Sequence, residues 1–204
     1  MKNFPKIKAT ILPFYTEIFK DIRGKKIKLL ELGICEGDSL LFWNEFFDGA
    51  EIFGIDLSLP NIEVPESVKM FKCRQEDQSG LITIGKNCGP FDIIIDDCSH
   101  QKRWTWESFL TLWRYLVFGG IYIIEDWKAG FDDNGHGTLL YHGLQYVIAE
   151  IIKNADRFNV IEVLAIRKGG SIALIYNLRN KERIPLEFLA DEKAKERSPI
   201  KSHK

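Results

Sequence analysis

FDIIIDDCSH, residues 91–100, and GGIYIIEDW, residues 119–127, decide how this chain is read. Each holds an apolar run, Ile93 to Ile95 and Ile121 to Ile124, that ends abruptly in acids. The first ends in Asp96-Asp97, with His100 three residues on; the second ends in Glu125-Asp126. As parallel strands of one open sheet, the two runs bring their acidic ends side by side at its carboxyl edge, where open α/β sheets bind ligands. Clustered carboxylates repel one another unless a cation relieves them. The stretch therefore points to a metal-assisted active site. Successive strand residues face opposite sides, so Asp96 and Asp97 cannot both aim at one ion, and Asp96 is the weaker ligand candidate.

Working outward, Trp104 to Val117 carries apolar residues at helical spacing between the two runs. Upstream, Thr10 to Arg23 reads as an amphipathic helix with Pro13 in its first turn. Ile27 to Leu32, Glu51 to Asp56 and Val68 to Arg74 read as strands, and Asp38 to Phe47 and Ser79 to Gly85 as helices, the first capped by Asp38 or Ser39. Downstream, Thr138 to Asn154 reads as a helix, and Phe158 to Arg167 with Ser171 to Tyr176 as a hairpin turning at Lys168-Gly169-Gly170. Strands alternating with helices predict a doubly wound, three-layer α/β sandwich, mostly parallel, with one antiparallel strand from the C-terminal hairpin. Residues 1–180 are expected to form a single domain, and 181–204 a charged, partly disordered tail.

The chain has 204 residues, 45% of them hydrophobic, enough for one sizeable core. Lys+Arg number 28 against 29 Asp+Glu, a balance that gives no support to nucleic-acid binding. No apolar run reaches the roughly 20 residues of a membrane-spanning helix, and the first residues lack a signal-peptide run. The expectation is a cytoplasmic protein without a membrane partner. Cys35, Cys73, Cys88 and Cys98 form no CxxC pair and read as free thiols.

LLELGICEGDS, residues 29–39, follows a strand and opens a helix. Glycines at such a turn let the backbone pass close to a ligand, and the helix start presents unpaired N–H groups. The spacing is GxxxG rather than the GxGxxG of dinucleotide sites, and Asp38 would repel a pyrophosphate. Asp56 ends the next strand about 20 residues later, where a carboxylate accepts bonds from ribose hydroxyls. Asp77 follows the third strand, within reach of an adenine amino group.

Taken together, ELGICEGDS, GIDLS, QEDQS, FDIIIDDCSH and GGIYIIEDW resemble the class I S-adenosylmethionine-dependent methyltransferases. More narrowly, they resemble the metal-dependent sugar O-methyltransferases of the macrocin and mycinamicin type. The resemblance runs from about Tyr15 to Trp127. It implies that Glu31, Gly33 and Gly37 bind the methionine side of S-adenosylmethionine, Asp56 the ribose, and Asp77 and Gln78 the adenine, with Ser39 also binding the cofactor. It further implies Asp97, Glu125 and Asp126 as Mg2+ ligands and His100 as general base, with Asp97 and His100 the catalytic pair. The family pattern has glycine where this chain has Cys98 and Glu76, and an acid where it has Gly80. The larger members also carry an N-terminal domain that this sequence does not match.

The chemistry accounts for those residue types. A sulfonium methyl is already activated, so the enzyme must make an acceptor hydroxyl nucleophilic. A hard dication held by carboxylates lowers the pKa of a bound hydroxyl, and an imidazole takes the proton. The expected acceptor is a sugar or related diol-bearing small molecule, and the resemblance implies a homo-oligomer. Two other readings stand beside this one: catechol-type methylation, and a non-catalytic S-adenosylmethionine-binding or interaction module. Trp104 and Trp127 flank the acidic motifs and could stack on an acceptor ring, while His136 reads as a loop histidine.

Overall fold

The computed structural model describes residues 12–127, 143–154 and 171–177. Strands β1 (Lys28–Leu32), β2 (Glu51–Asp56), β3 (Val68–Lys72), β4 (Phe91–Asp96), β5 (Leu116–Glu125) and β6 (Ile172–Tyr176) form one sheet in the order β3-β2-β1-β4-β5-β6. β1 to β5 are parallel, and β6 pairs antiparallel with β5, Glu125 opposite Ile172. The order reverses direction between β1 and β4, which opens a crevice at their carboxyl ends.

Side-chain alternation divides the core into two layers. Leu30, Leu32, Ile94, Tyr122 and Ile124 face one side. Helices α3 (Gln78–Cys88), α4 (Lys102–Leu112) and α5 (Leu144–Lys153) cover them with Leu81, Phe109 and Val147. Leu29, Ile93, Ile95, Ile121 and Ile123 face the other side, under α1 (Leu12–Ile18) and α2 (Asp38–Phe46). There an aromatic group closes the layer: Tyr15 stacks on Phe19 at 5.6 Å and meets Trp43 edge-on at 5.0 Å. The strands are apolar on both faces because helices cover both.

Several sequence expectations shift at their ends. Within the described residues, the helix expected over Thr10 to Arg23 runs regularly to Ile18 and continues as turns. Neither Asp38 nor Ser39 caps α2: Gly37 holds the cap position at φ 83°, and the Ser39 hydroxyl turns to Glu31. The helix expected to reach Val117 stops at Leu112, a 3-10 turn spans Trp113–Tyr115, and β5 begins at Leu116. β5 is long because its paired part starts ahead of a register shift between Phe91 and Ile93. The first arm of the expected hairpin, the tail from 181, residues 138–142 and His136 lie outside the described residues. Among the described residues no helix is long and apolar enough to cross a membrane.

Candidate active site

The carboxyl edge gathers the acids that the strand ends carry. β4 delivers Asp96 to the α3/α4 side and Asp97 to the crevice, as alternation requires. Asp96 is buried and serves as an anchor: Ser108 Oγ donates to it at 2.7 Å, Gln75 Nε2 at 2.8 Å and Tyr122 Oη at 3.2 Å. Burial raises its pKa, and the three donors work against that rise.

Asp97 is half-buried, and its backbone N–H donates to Leu32 O at 2.9 Å. His100 Nε2 lies 3.8 Å from Asp97 Oδ1. Asp97, His100 and Asp126 each present a donor atom within 4.8 Å of the others, a set able to hold a metal ion. Two of these three, His100 at φ 55° and Asp126 at φ 51°, have left-handed backbone. Non-glycine residues rarely adopt it, and when they do they concentrate at functional sites. Asp126 is held by its N–H, which donates to Ser171 O at 2.6 Å.

Glu125 is not brought into that group. It is buried, and its Oε1 accepts the Tyr15 hydroxyl at 2.7 Å. Burial and the Glu125 charge hold the Tyr15 phenol well above the usual tyrosine range.

On the cofactor side, the glycine turn and Asp56 come together. Asp56 Oδ2 accepts the N–H groups of Ile34 at 2.9 Å and Cys35 at 3.0 Å, and Oδ1 accepts Ser58 N–H at 3.2 Å. Gly33, at φ 84°, passes so close to the next loop that a Cβ there would meet the Asp97 carbonyl oxygen at 2.1 Å. The turn and the acidic loop are thus packed backbone to backbone. Glu31 is buried and accepts Ser39 Oγ at 2.6 Å. Gly37 is buried against Ile62, 2.4 Å from where a Cβ would stand. Asp77 caps α3, its Oδ1 accepting Gly80 N–H at 3.0 Å, and Gln78 beside it is exposed.

The departures from the family pattern are accommodated. Cys98 has no left-handed backbone, so the turn there does not require glycine. Burial, then the charges of Asp96 and Asp56, push its thiol well up. Glu76 pairs with Arg74 at 2.6 Å, and at position 80 a Cβ would stand 2.6 Å from Cys73 Sγ. Trp104 and Trp127 are half-buried, and Trp106 stacks on Phe109 at 5.9 Å. Sequence reasoning missed Tyr15 and Gln75. Both are uncharged partners whose role depends on long-range contacts, and no local spacing signals them.

No family model matches the chain. It is 35% identical over 126 residues to mycinamicin VI 2''-O-methyltransferase of Micromonospora griseorubida, covering 57% of this chain and 31% of that protein. It is 30% identical over 158 residues to demethylmacrocin O-methyltransferase of Streptomyces fradiae, covering 71% and 40%. The chain thus spans under half the length of these curated relatives. The structure of MycE methyltransferase in complex with Mg, SAH and mycinamycin VI matches at a TM-score of 0.67 and 28% identity, covering 86% of this chain and 51% of that one. In sequence and structure this chain is similar to the macrocin- and mycinamicin-type sugar O-methyltransferases, and its fold is that of the class I S-adenosylmethionine-dependent methyltransferases.

Proposed function

We propose that this protein transfers a methyl group from S-adenosylmethionine to a sugar hydroxyl with the assistance of Mg2+. The observation that carries the reading is the convergence of Asp97, His100 and Asp126 at the carboxyl edge, beside the turn held by Asp56. The donor set fits a hard dication: carboxylate oxygens dominate, and the cluster is partly open to incoming hydroxyls. Asp97 and Asp126 would hold the ion, and Glu125, whose Oε1 accepts the Tyr15 hydroxyl, stands outside that set. Mg2+ there supplies Lewis acidity toward neighbouring hydroxyl oxygens.

S-adenosylmethionine supplies a methyl group already activated on sulfur. Asp56 Oδ1 accepts one described bond, at 3.2 Å, and retains acceptor capacity for ribose hydroxyls. The turn of Gly33 and Gly37 would border the methionine end, beside Glu31 and Ser39, while Asp77 and Gln78 would border the adenine end. His100 takes the acceptor proton at a ring nitrogen, oriented by its left-handed backbone. The names of relatives, among them a mycinamicin VI 2''-O-methyltransferase and an 8-demethyl-8-(2-methoxy-alpha-L-rhamnosyl)-tetracenomycin-C 3'-O-methyltransferase, support a sugar acceptor.

The test incubates the protein with S-adenosylmethionine, Mg2+ and a panel of probes: mycinamicin VI, demethylmacrocin, simple deoxyhexose glycosides and catechol. Mass spectrometry should find one added methyl on a glycoside, lost with a chelator. Methylation of catechol alone would move the activity to the catechol class. S-adenosylhomocysteine binding with no transfer to any probe, with or without Mg2+, would favour a binding module.

A further inference from the structure

Gln75 lies just beyond β3, and its buried carboxamide joins three elements. Its Nε2 donates to both oxygens of Asp96, at 2.8 and 3.0 Å, and approaches Ser108 Oγ on α4 at 3.3 Å. Its Oε1 accepts the backbone N–H of Ser99 at 3.2 Å and also the Ser99 hydroxyl. Ser99 Oγ in turn accepts the N–H of Gln101, at the start of α4, at 3.2 Å.

The partners define the amide's orientation. A carboxylate can only accept, so it selects the NH2 end; the Ser99 N–H can only donate, so it selects the oxygen. A glutamate at this position would oppose Asp96, and an apolar side chain would leave both ends unmatched. Ser99 sits between Asp97 and His100, the latter held at φ 55°. The chain there has no regular structure of its own to impose that conformation.

We infer that Gln75 is a positioning residue: through Ser99 it fixes the loop of residues 97–101 and so aims Asp97 and His100 into the site. The inference rests on the reading of those two side chains as part of the metal and acceptor edge. Groups outside the ligand shell commonly change metal affinity by roughly 10- to 100-fold when removed.

The test uses Gln75→Met, Ser99→Ala and the double variant, with Mn2+ as an electron paramagnetic resonance probe of metal binding. Ser99→Ala leaves the Asp96 contacts of Gln75 in place, so it carries the test should Gln75→Met fail to fold. Each single variant should weaken Mn2+ binding about tenfold or more, with S-adenosylhomocysteine affinity changed by less than about threefold. The double variant should lose less than the sum of the two single variants, because both remove the bond between the Ser99 hydroxyl and Gln75. Amide exchange at Ser99 in the metal-free protein should quicken in Gln75→Met. Unchanged Mn2+ affinity in the single variants, or additive losses in the double, would overturn the inference. A wild-type protein that binds no Mn2+ would instead overturn the metal reading, and unchanged exchange at Ser99 would then separately overturn the tether.

Discussion

Tyr15 and Glu125 are 110 residues apart, and the Tyr15 hydroxyl donates a 2.7 Å hydrogen bond to Glu125 Oε1 with both side chains buried. Helix α1 is thereby tied to the residue just before Asp126. Tyr15→Phe keeps the ring packing against Phe19 and Trp43 but removes a donor from a buried carboxylate. Stability should fall by about 1.5–3 kcal/mol, the worth of a hydrogen bond to a charged group. A denaturant midpoint shift equivalent to less than about 0.5 kcal/mol would show that the bond does not matter to folding.

Tyr15 and Tyr122 are both held well above the ordinary tyrosine range, chiefly by burial and then by Glu125 and Asp96 respectively. A phenol with a raised folded pKa keeps its proton longer when folded. Its contribution to stability is therefore complete below about pH 10, the unfolded value, and declines as pH rises beyond it. Ultraviolet titration should find these two phenols ionising only as the protein unfolds in alkali. Normal ionisation near pH 10 of all tyrosines in a protein with native circular dichroism would contradict this.

Gly33 and Gly119 offer a matched comparison. Both have left-handed backbone, at φ 84° and 81°, but a Cβ at Gly119 meets open space while one at Gly33 meets the Asp97 carbonyl. Gly119→Ala should cost about 1 kcal/mol from backbone conformation alone. Gly33→Ala should cost at least about 2 kcal/mol more, because the turn and the acidic loop must separate. Equal denaturation midpoints would show that the close approach is not a constraint.

His100→Ala should lower turnover by roughly 100-fold or more, the usual scale for losing a general base. Calorimetric affinity for S-adenosylhomocysteine should hold, since Asp56 and the glycine turn are untouched. Undiminished turnover would remove His100 from the proton path.

Much of this architecture is legible in the sequence because it depends on local pattern. Apolar runs ending in acids mark β4 and β5, and alternation separates Asp96 from Asp97. The structure adds what alternation implies but cannot name: Asp96 is held by Ser108, Gln75 and Tyr122, from three separate segments. The pairing of Tyr15 with Glu125 is equally hidden, since a tyrosine on an amphipathic helix reads as core. Cys98 stands where the family pattern has glycine, yet the left-handed position is His100, two residues later. Backbone conformation at single loop residues is decided by tertiary contacts, which spacing does not encode.

The central claim is that Asp97 and Asp126 hold a divalent cation beside the cofactor. Titration calorimetry of Mg2+ into the protein saturated with S-adenosylhomocysteine tests it most directly, comparing wild type with Asp97→Asn and Asp126→Asn. The wild type should show a Mg2+ site that weakens roughly 10-fold or more in each variant. Equal Mg2+ affinity in all three proteins, or no binding in the wild type, would contradict it.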